Sequence, residues 1–292
     1  METNIISNAE SVQVSVLMIT YNHEKFIEKA IQAVLAQKTN FAVQLLICND
    51  ASTDQTAEIV ESCILRNSSS ITIKYEHHHQ NIGVMPNFKK GLELCTGKYI
   101  ALCDGDDYWT DPLKLQKQAD FLEANEDYAI CFSGYKIANQ IIGQETLVDN
   151  IGGSITIEQI INSNSYSTAT ALFVSKYLHP LPSWFDKIKF GDWGLYLNTL
   201  FTSKKKAYCL PDVTTVYRIH KGGIHGNLHA SNSTLANAYK MHIDFYRQMQ
   251  TYLFRDEYIA QIKDCIKARK GIIARLLKEE KKYLAAIISK WY

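Results

Sequence analysis

The chain has 292 residues, 46% of them hydrophobic and 21% charged, with a formal net charge of +1 at pH 7. These values describe a globular protein long enough for one large α/β domain or for a domain with an appendage. The near-neutral charge gives no general argument for nucleic-acid or acidic partners.

The first 130 residues alternate between two patterns. Residues 14–20 are an apolar, β-branched run closed by the turn signal Tyr21-Asn22, and residues 24–37 carry apolar side chains at helical spacing. Residues 43–48 read as a second strand, a helix runs from Thr53-Asp54 to about residue 65, and residues 71–75 read as a third strand. A third helix is expected over 86–95, a fourth strand over 99–103 and a fourth helix over 112–124. After Tyr128 the pattern loosens. Strands are expected over 128–135 and 169–174, a helix over 191–201, and a strand-rich stretch with a proline break over 206–220. Gly222, Gly223 and Gly226 make the next loop flexible. From Asn232 the pattern is helical, with one long helix from about 255 to 290.

Strand and helix alternating at this spacing predict βαβ units and a mostly parallel sheet with helices on both faces. The polar loops that end the strands then share one sheet edge, where open α/β sheets bind ligands. The most pointed of these loops is Asp104-Gly105-Asp106-Asp107, with three acids in four residues. Carboxylates so close repel one another unless a cation sits among them, and hard oxygen ligands suit Mg²⁺ or Mn²⁺. The alternative is an ordinary Asp-Gly turn before the Asp-Pro helix start at 111–112.

Four segments in order carry a resemblance. They are Ile19-Thr20-Tyr21-Asn22, Cys48-Asn49-Asp50-Ala51-Ser52-Thr53-Asp54, Asn81-Ile82-Gly83-Val84-Met85-Pro86-Asn87 and Asp104-Gly105-Asp106-Asp107. Together they closely resemble the nucleotide-sugar-binding half of glycosyltransferase family 2, whose members adopt the GT-A fold. The resemblance is strong over 13–125 and weaker to about 225. It implies a catalytic domain over 1–225, with a donor half (13–125) and an acceptor half (126–225), and a C-terminal helical region over 226–292. By this resemblance Thr20, Tyr21 and Asn22 border the nucleoside, and Asp50 accepts a hydrogen bond from uracil. The alternative for Asp50 is a helix-start acid or Asx turn. Asn81, Gly83 and Asn87 line the nucleotide pocket, though Gly83 is equally explained as a turn glycine. Asp104 and Asp106 match the two ends of the Asp-X-Asp motif, with Asp104 near the ribose and Asp106 on the metal. Asp107 is a local cap.

Transfer with inversion needs a base near the acceptor hydroxyl. Phe190-Gly191-Asp192-Trp193 resembles the family's Glu-Asp-Trp-type motif, with Gly191 where the family has an acid, which assigns the base to Asp192. The alternative is a helix N-cap. Tyr217-Arg218-Ile219-His220 resembles the family's Arg-X-His segment. It makes His220 a candidate third metal ligand, and Arg218 or Lys221 a partner for the leaving diphosphate.

Three features carry less. His77, His78 and His79 alternate faces on a strand, so they cannot converge on one metal and read as a solvated strand end. The seven cysteines are read as packing residues, and Trp109, Trp184 and Trp193 as core rather than sugar platforms. Residues 261–292 hold nine Lys or Arg against three acids, a net +6 that leaves the rest at −5. This basic helix is either a solvated face with its apolar residues packed on the core, or a peripheral contact with an anionic membrane. Residues 1–11 show no secretory pattern and no apolar run approaches eighteen residues, so the expected compartment is the cytoplasm or the inner face of the cell membrane.

The resulting expectation is an inverting, Mn²⁺- or Mg²⁺-dependent glycosyltransferase. Its donor would be a nucleotide-diphosphate sugar, a UDP-sugar first, and its acceptor a glycan or lipid-linked glycan of bacterial surface assembly. No nucleic-acid partner is expected. Two alternatives remain: a sugar-nucleotidyltransferase, against which the loop after the first strand is neither glycine-rich nor basic, and a catalytically silent nucleotide-sugar-binding protein.

Overall fold

A computed structural model describes residues 12–148, 152–223, 226 and 231–288. The first half follows the expected alternation. It runs β1 (Val14–Thr20), α1 (Ile27–Leu35), β2 (Val43–Asn49), α2 (Thr56–Leu65), β3 (Thr72–His77), α3 (Val84–Leu94), β4 (Tyr99–Leu102), the two-residue β5 (Tyr108–Trp109) and α4 (Lys114–Ala124). The second half contains β6 (Tyr128–Asn139), β7 (Gln144–Val148), β8 (Gly153–Ile155), α5 (Ile157–Asn162), β9 (Leu172–Val174), α6 (Gly191–Ser203), β10 (Lys206–Ile219), α7 (Asn232–Met249) and α8 (Ile259–Ile288). Helix α1 starts later than its apolar spacing suggests, because the amides of Phe26 and Ile27 both turn back to the His23 carbonyl.

These strands form one sheet in the order β3-β2-β1-β4-β9-β6-β10-β5, with β7 on β6 and β8 on β10. Strands β1 to β4 are mutually parallel, and β6 and β10 are parallel to each other. Strand β9 runs antiparallel between β4 and β6, so β6 and β10 share the direction of β1 to β4. The carboxyl ends of six strands therefore meet at one edge.

Strand side chains alternate between two apolar layers. Val14, Val16, Met18, Leu45, Ile47, Tyr99 and Ala101 face one core, with Ile27, Ile31 and Val34 of α1, Val60 of α2 and Leu115 of α4. Leu17, Leu46, Cys48, Ile100 and Leu102 face the other, with Phe88 of α3, Trp193 and Tyr196 of α6, and Phe245 and Tyr246 of α7. All seven cysteines are buried and free. Trp109, Trp184 and Trp193 are buried as expected of core residues, the indole N–H groups of Trp109 and Trp193 donating to the carbonyls of Ala169 and Ile160 at 2.8 Å.

Strands β5, β7 and β8 and helix α5 escape the periodicity because they are short, and β7 is exposed on both faces. Helix α5 nevertheless carries a legible start, the capping box of Thr156 and Gln159. At the C-terminus a π-helical turn over 250–254 separates α7 from α8. The apolar face of α8 packs inward through Ile262, Cys265 and Leu276, and Asn232 of α7 donates to the Leu276 carbonyl. Up to residue 281 the packed reading of this helix therefore holds, with Lys263, Lys267, Lys270, Arg275 and Lys278 exposed. The side chains of Tyr283 and Leu284, and residues 290–292, lie outside the described part. No helix among the described residues is long and apolar enough to cross a membrane.

One buried polar network ties α4 to the sheet. Lys114 is fully buried, donates to Gln118 Oε1 at 2.7 Å and lies 4.4 Å from the Trp109 ring centre. Gln118 in turn donates to the carbonyls of Cys131 and Thr170. Burial lowers the Lys114 pKa from 10.5 to about 7. Between those values the unfolded chain keeps a proton that the native state releases, so this residue makes stability rise with pH. Urea unfolding is expected to show wild type gaining stability relative to Lys114→Met between about pH 7 and pH 10. A pH-independent difference between the two would contradict a buried amine that sheds its proton.

Candidate active site

The loop after β4 is held against β1 beyond the end of the strand. The amides of Cys103 and Gly105 donate to the carbonyls of Leu17 and Ile19, each at 3.0 Å. Gly105 sits so close that an added Cβ would lie 2.8 Å from Thr20 Oγ1 and 2.9 Å from His23 Nδ1. Asp107, expected as a local cap, is instead a long-range anchor. It is buried, and its Oδ1 accepts the backbone N–H of Arg218, 111 residues away, at 2.8 Å. The Arg218 guanidinium returns the contact by donating to the Asp106 carbonyl at 2.8 Å. Two residues further along, His220 Nε2 reaches Asp106 Oδ2 at 3.1 Å. His23 Nε2 lies 3.8 Å from the same oxygen, and the Phe26 ring packs on His220 at 4.3 Å between centres.

The electrostatics of the three acids differ. Burial, then repulsion from Asp106 and Asp192, push the Asp104 carboxyl up to about 8. Burial alone would also raise Asp106, but the His220 hydrogen bond and the adjacent His23 and His220 hold it below the ordinary carboxylate value. Asp107 is raised well above it, by burial and by its two acidic neighbours. His23 is lowered, burial outweighing the attraction of Asp106. The cluster thus holds one stabilised carboxylate, paired to imidazole, and two carboxyls that resist ionisation together.

The remaining donor-side candidates divide into exposed and committed groups. Tyr21 is exposed beside Thr20, whose hydroxyl lies 3.2 Å from His23 Nδ1. Asn22 has φ +56° and joins the first two strand-end loops, accepting the Thr53 amide at 2.8 Å and donating its own amide to Ser52 Oγ. Asp50 is buried, and its two oxygens accept the amides of Ile82 and Gly83 at 2.8 and 2.9 Å. That contact shapes the loop of Asn81, which is exposed, and of Gly83, whose φ of +93° favours glycine. Asn87 is buried and braces the fold, donating to the Cys48 carbonyl and pairing with His78 Nε2. His78 is therefore a structural partner of α3 rather than a solvated strand end. Lys221 is exposed on the turn after β10.

Asp192 lies within the first turn of α6, not at its N-cap, which is Phe190. Its Oδ1 accepts the Trp193 amide at 2.7 Å, while Oδ2 accepts Asn164 Nδ2 at 2.9 Å and the Thr168 hydroxyl at 3.4 Å. A carboxylate at this end of a helix is favoured by the backbone dipole. The neighbouring Gly191 has a packing reason, since a Cβ there would lie 2.7 Å from Met85 Sδ and 3.1 Å from Phe88. Asp104 links the two regions, because it feels the charge of both Asp106 and Asp192.

Among the described residues no three His, Cys, Asp or Glu side chains form a metal cage. The donor set that is present, one carboxylate oxygen and one imidazole nitrogen 3.1 Å apart, fits a divalent ion that takes its other ligands from water and phosphate oxygens. Sequence reasoning missed His23, Phe26, Asn164 and Thr168. His23 was visible as a polar residue in the first strand-end loop, whereas Asn164 and Thr168 fall in irregular chain with no periodic signal.

Comparison with known proteins gives the family and the fold. The family model described as "Glycosyl transferase family 2" matches residues 15–166. Uncharacterized protein Rv1520 of Mycobacterium tuberculosis is 31% identical over 215 residues, and the chain spans 60% of its length and 72% of its own. The Escherichia coli UDP-Glc:alpha-D-GlcNAc-diphosphoundecaprenol beta-1,3-glucosyltransferase WfaP is 26% identical, over 73% of this chain and 80% of that one. The S. aureus TarS structure in complex with UDP-GlcNAc aligns with a TM-score of 0.62 at 18% identity, over 91% of this chain and 72% of that one. The mannosyltransferase PcManGT from Pyrobaculum calidifontis, in complex with GDP-Man and Mn²⁺, aligns at 0.60 and 15% identity, over 96% and 81%. At such identities these two structures speak for the fold alone, a GT-A architecture. The family match covers more than half of the chain, and the protein belongs to glycosyltransferase family 2.

Proposed function

We propose that this chain is a metal-dependent, inverting glycosyltransferase that moves a sugar from a nucleotide-diphosphate donor, a UDP-sugar first, to the hydroxyl of a lipid-linked glycan. The observation that carries this reading is the Asp106–His220 pair at the sheet edge, with Asp192 near enough to Asp104 for the two charges to repel. WfaP, by its name, uses UDP-Glc and a diphosphoundecaprenol-linked acceptor, which supports the donor and acceptor class. The Mn²⁺ in the PcManGT complex supports the metal.

In this reading Tyr21 and the Asn81–Gly83 loop that Asp50 shapes border the nucleoside, and Asp104 faces the ribose. Asp106 and His220 would hold the Mn²⁺ or Mg²⁺, which supplies positive charge for the departing diphosphate. Asp192 takes the proton of the acceptor hydroxyl. As that oxygen forms its bond to the anomeric carbon, the bond from that carbon to the diphosphate oxygen breaks. The diphosphate leaves with the electron pair, and one displacement inverts the centre. Oδ2 of Asp192 already accepts two hydrogen bonds and Oδ1 only one, so Oδ1 keeps the lone pair for the proton. Asn164 and Thr168 fix the carboxylate in place.

Two expected outcomes test the division of labour. Asp192→Asn lowers transfer, and metal-dependent donor hydrolysis, by at least about a hundredfold, while calorimetry shows Mn²⁺-dependent UDP binding intact. Loss of UDP binding in that variant would remove Asp192 from the base role. Asp106→Asn weakens UDP binding in the presence of Mn²⁺ by about tenfold or more and leaves the metal-free affinity unchanged. An equal effect with and without Mn²⁺ would argue against Asp106 as the ligand.

A further inference from the structure

Phe26 and Arg218, which pack against the Asp106–His220 pair, also form one wall of a separate cavity of about 420 Å³. Its other lining comes from Lys25, Lys29 and Tyr108, and from the end of β6, the turn after it and the start of β7. The chemistry of this lining is lopsided. Lys29 Nζ lies 3.6 Å from the Tyr108 ring centre and the Arg218 guanidinium carbon 4.4 Å from it, so one ring gathers two cations. Lys25 adds a third, and Glu145 is the one acid among the described residues that line the cavity. Among the described residues neither Lys25 nor Lys29 makes an ion pair. Arg218 is flanked by Asp106 and Asp107, whereas the charges of Lys25 and Lys29 have no such partner there, and a bound anion relieves their repulsion.

The β6–β7 turn, whose Gln140 and Gly143 line this cavity, also carries exposed aliphatic side chains. The β6–β7 turn is tied by Asn139 Oδ1, which accepts the amides of Ile141 and Ile142 at 3.1 and 3.4 Å. The turn exposes the two isoleucines, 39% and 65% accessible, and β7 adds Leu147 at 57%. Single exposed aliphatics are ordinary, but three within seven residues beside a cationic cavity form a patch of mixed character. A free phosphate would use the cations and ignore the aliphatic turn, and a neutral glycan would need neither. An amphiphile with a phosphoryl head and an apolar tail uses both.

We propose that this cavity binds the phosphoryl group of the lipid carrier of the acceptor, with Lys25, Lys29 and Arg218 on the phosphate and Ile141, Ile142 and Leu147 against the lipid chain. The proposal rests on the glycosyltransferase reading and names where its lipid-linked acceptor docks.

Calorimetry on the full chain tests it, with farnesyl diphosphate as the amphiphile and inorganic pyrophosphate as the bare anion, both without divalent cations. Farnesyl diphosphate is expected to bind about tenfold or more tighter than pyrophosphate, because the tail removes apolar surface from water. The double variant Lys25→Glu, Lys29→Glu weakens both probes by about tenfold, while Ile142→Ser weakens only farnesyl diphosphate. UDP with Mn²⁺ binds wild type and all variants equally, and saturating UDP with Mn²⁺ leaves farnesyl diphosphate bound. Equal affinity for the two probes, unchanged binding in the variants, or displacement by UDP or by phosphatidylglycerol vesicles would overturn the proposal. Absence of Mn²⁺-dependent UDP binding by wild type would instead overturn the glycosyltransferase reading beneath it.

Discussion

Asp107 and Arg218 form the constraint on which the candidate site depends. A buried carboxylate left without donors is costly, and here the backbone amide of β10 supplies one. Arg218 spends part of its guanidinium on the Asp106 carbonyl, so the loop after β4 and the end of β10 clamp each other from both sides. That clamp sets the distance between Asp106 and His220, which no local feature of either segment determines. It also explains the chemistry assigned within the acidic run. Asp107 is consumed by structure, Asp106 is paired to imidazole, and Asp104 feels the charge of both Asp106 and Asp192.

The same logic extends along the sheet edge. Asn22 fastens the first strand-end loop to the second, Asp50 fastens the second to the third, and Gly105 lies against Thr20 and His23 of the first. The first three loops are thus cross-linked by their own polar side chains, which satisfy backbone groups that would otherwise be orphaned, and the fourth is held to β1 by the backbone amides of Cys103 and Gly105. Of the donor-side candidates Tyr21, Asn22, Asn81 and Lys221 are exposed, Asn22 while it also holds the second loop. Preorganisation of this kind means that a donor need not order the loops as it binds. Asp192 is prepared differently, by a helix start and by side chains from the irregular segment between α5 and β9. The two preparations converge because β4 and α6 are packed on the same core through Leu102, Trp193 and Tyr196.

Much of this was legible in the order of residues. Periods of 2 and 3.6 gave the four leading strands and helices, since buried strands and amphipathic helices must repeat their apolar positions. The acidic run stood out because carboxylates so close repel one another without a cation, whereas Asp192 and the Arg-X-His segment stood out by their resemblance to family motifs. The second half was less legible. Strand β7 is polar and exposed, β8 is three residues long, and α5 spans six, so none offers enough repeats for a pattern to emerge.

By itself the sequence determined the alternation of strand and helix, the parallel sheet it requires, and the set of polar residues at the strand ends, because these follow from spacing along the chain. Only the tertiary structure decided which of those residues are engaged in holding the loops and which face outward. Asn22, Asp50, Asn87 and Asp107 bond partners about 30 to more than 100 residues distant, and a side chain's partner across such a gap is fixed by strand order and packing rather than by its neighbours in sequence. The cationic cavity beside Tyr108 is of the same kind. Lys25 and Lys29 come from the start of the chain and Arg218 from near the end of β10, and the sheet alone brings them to one wall.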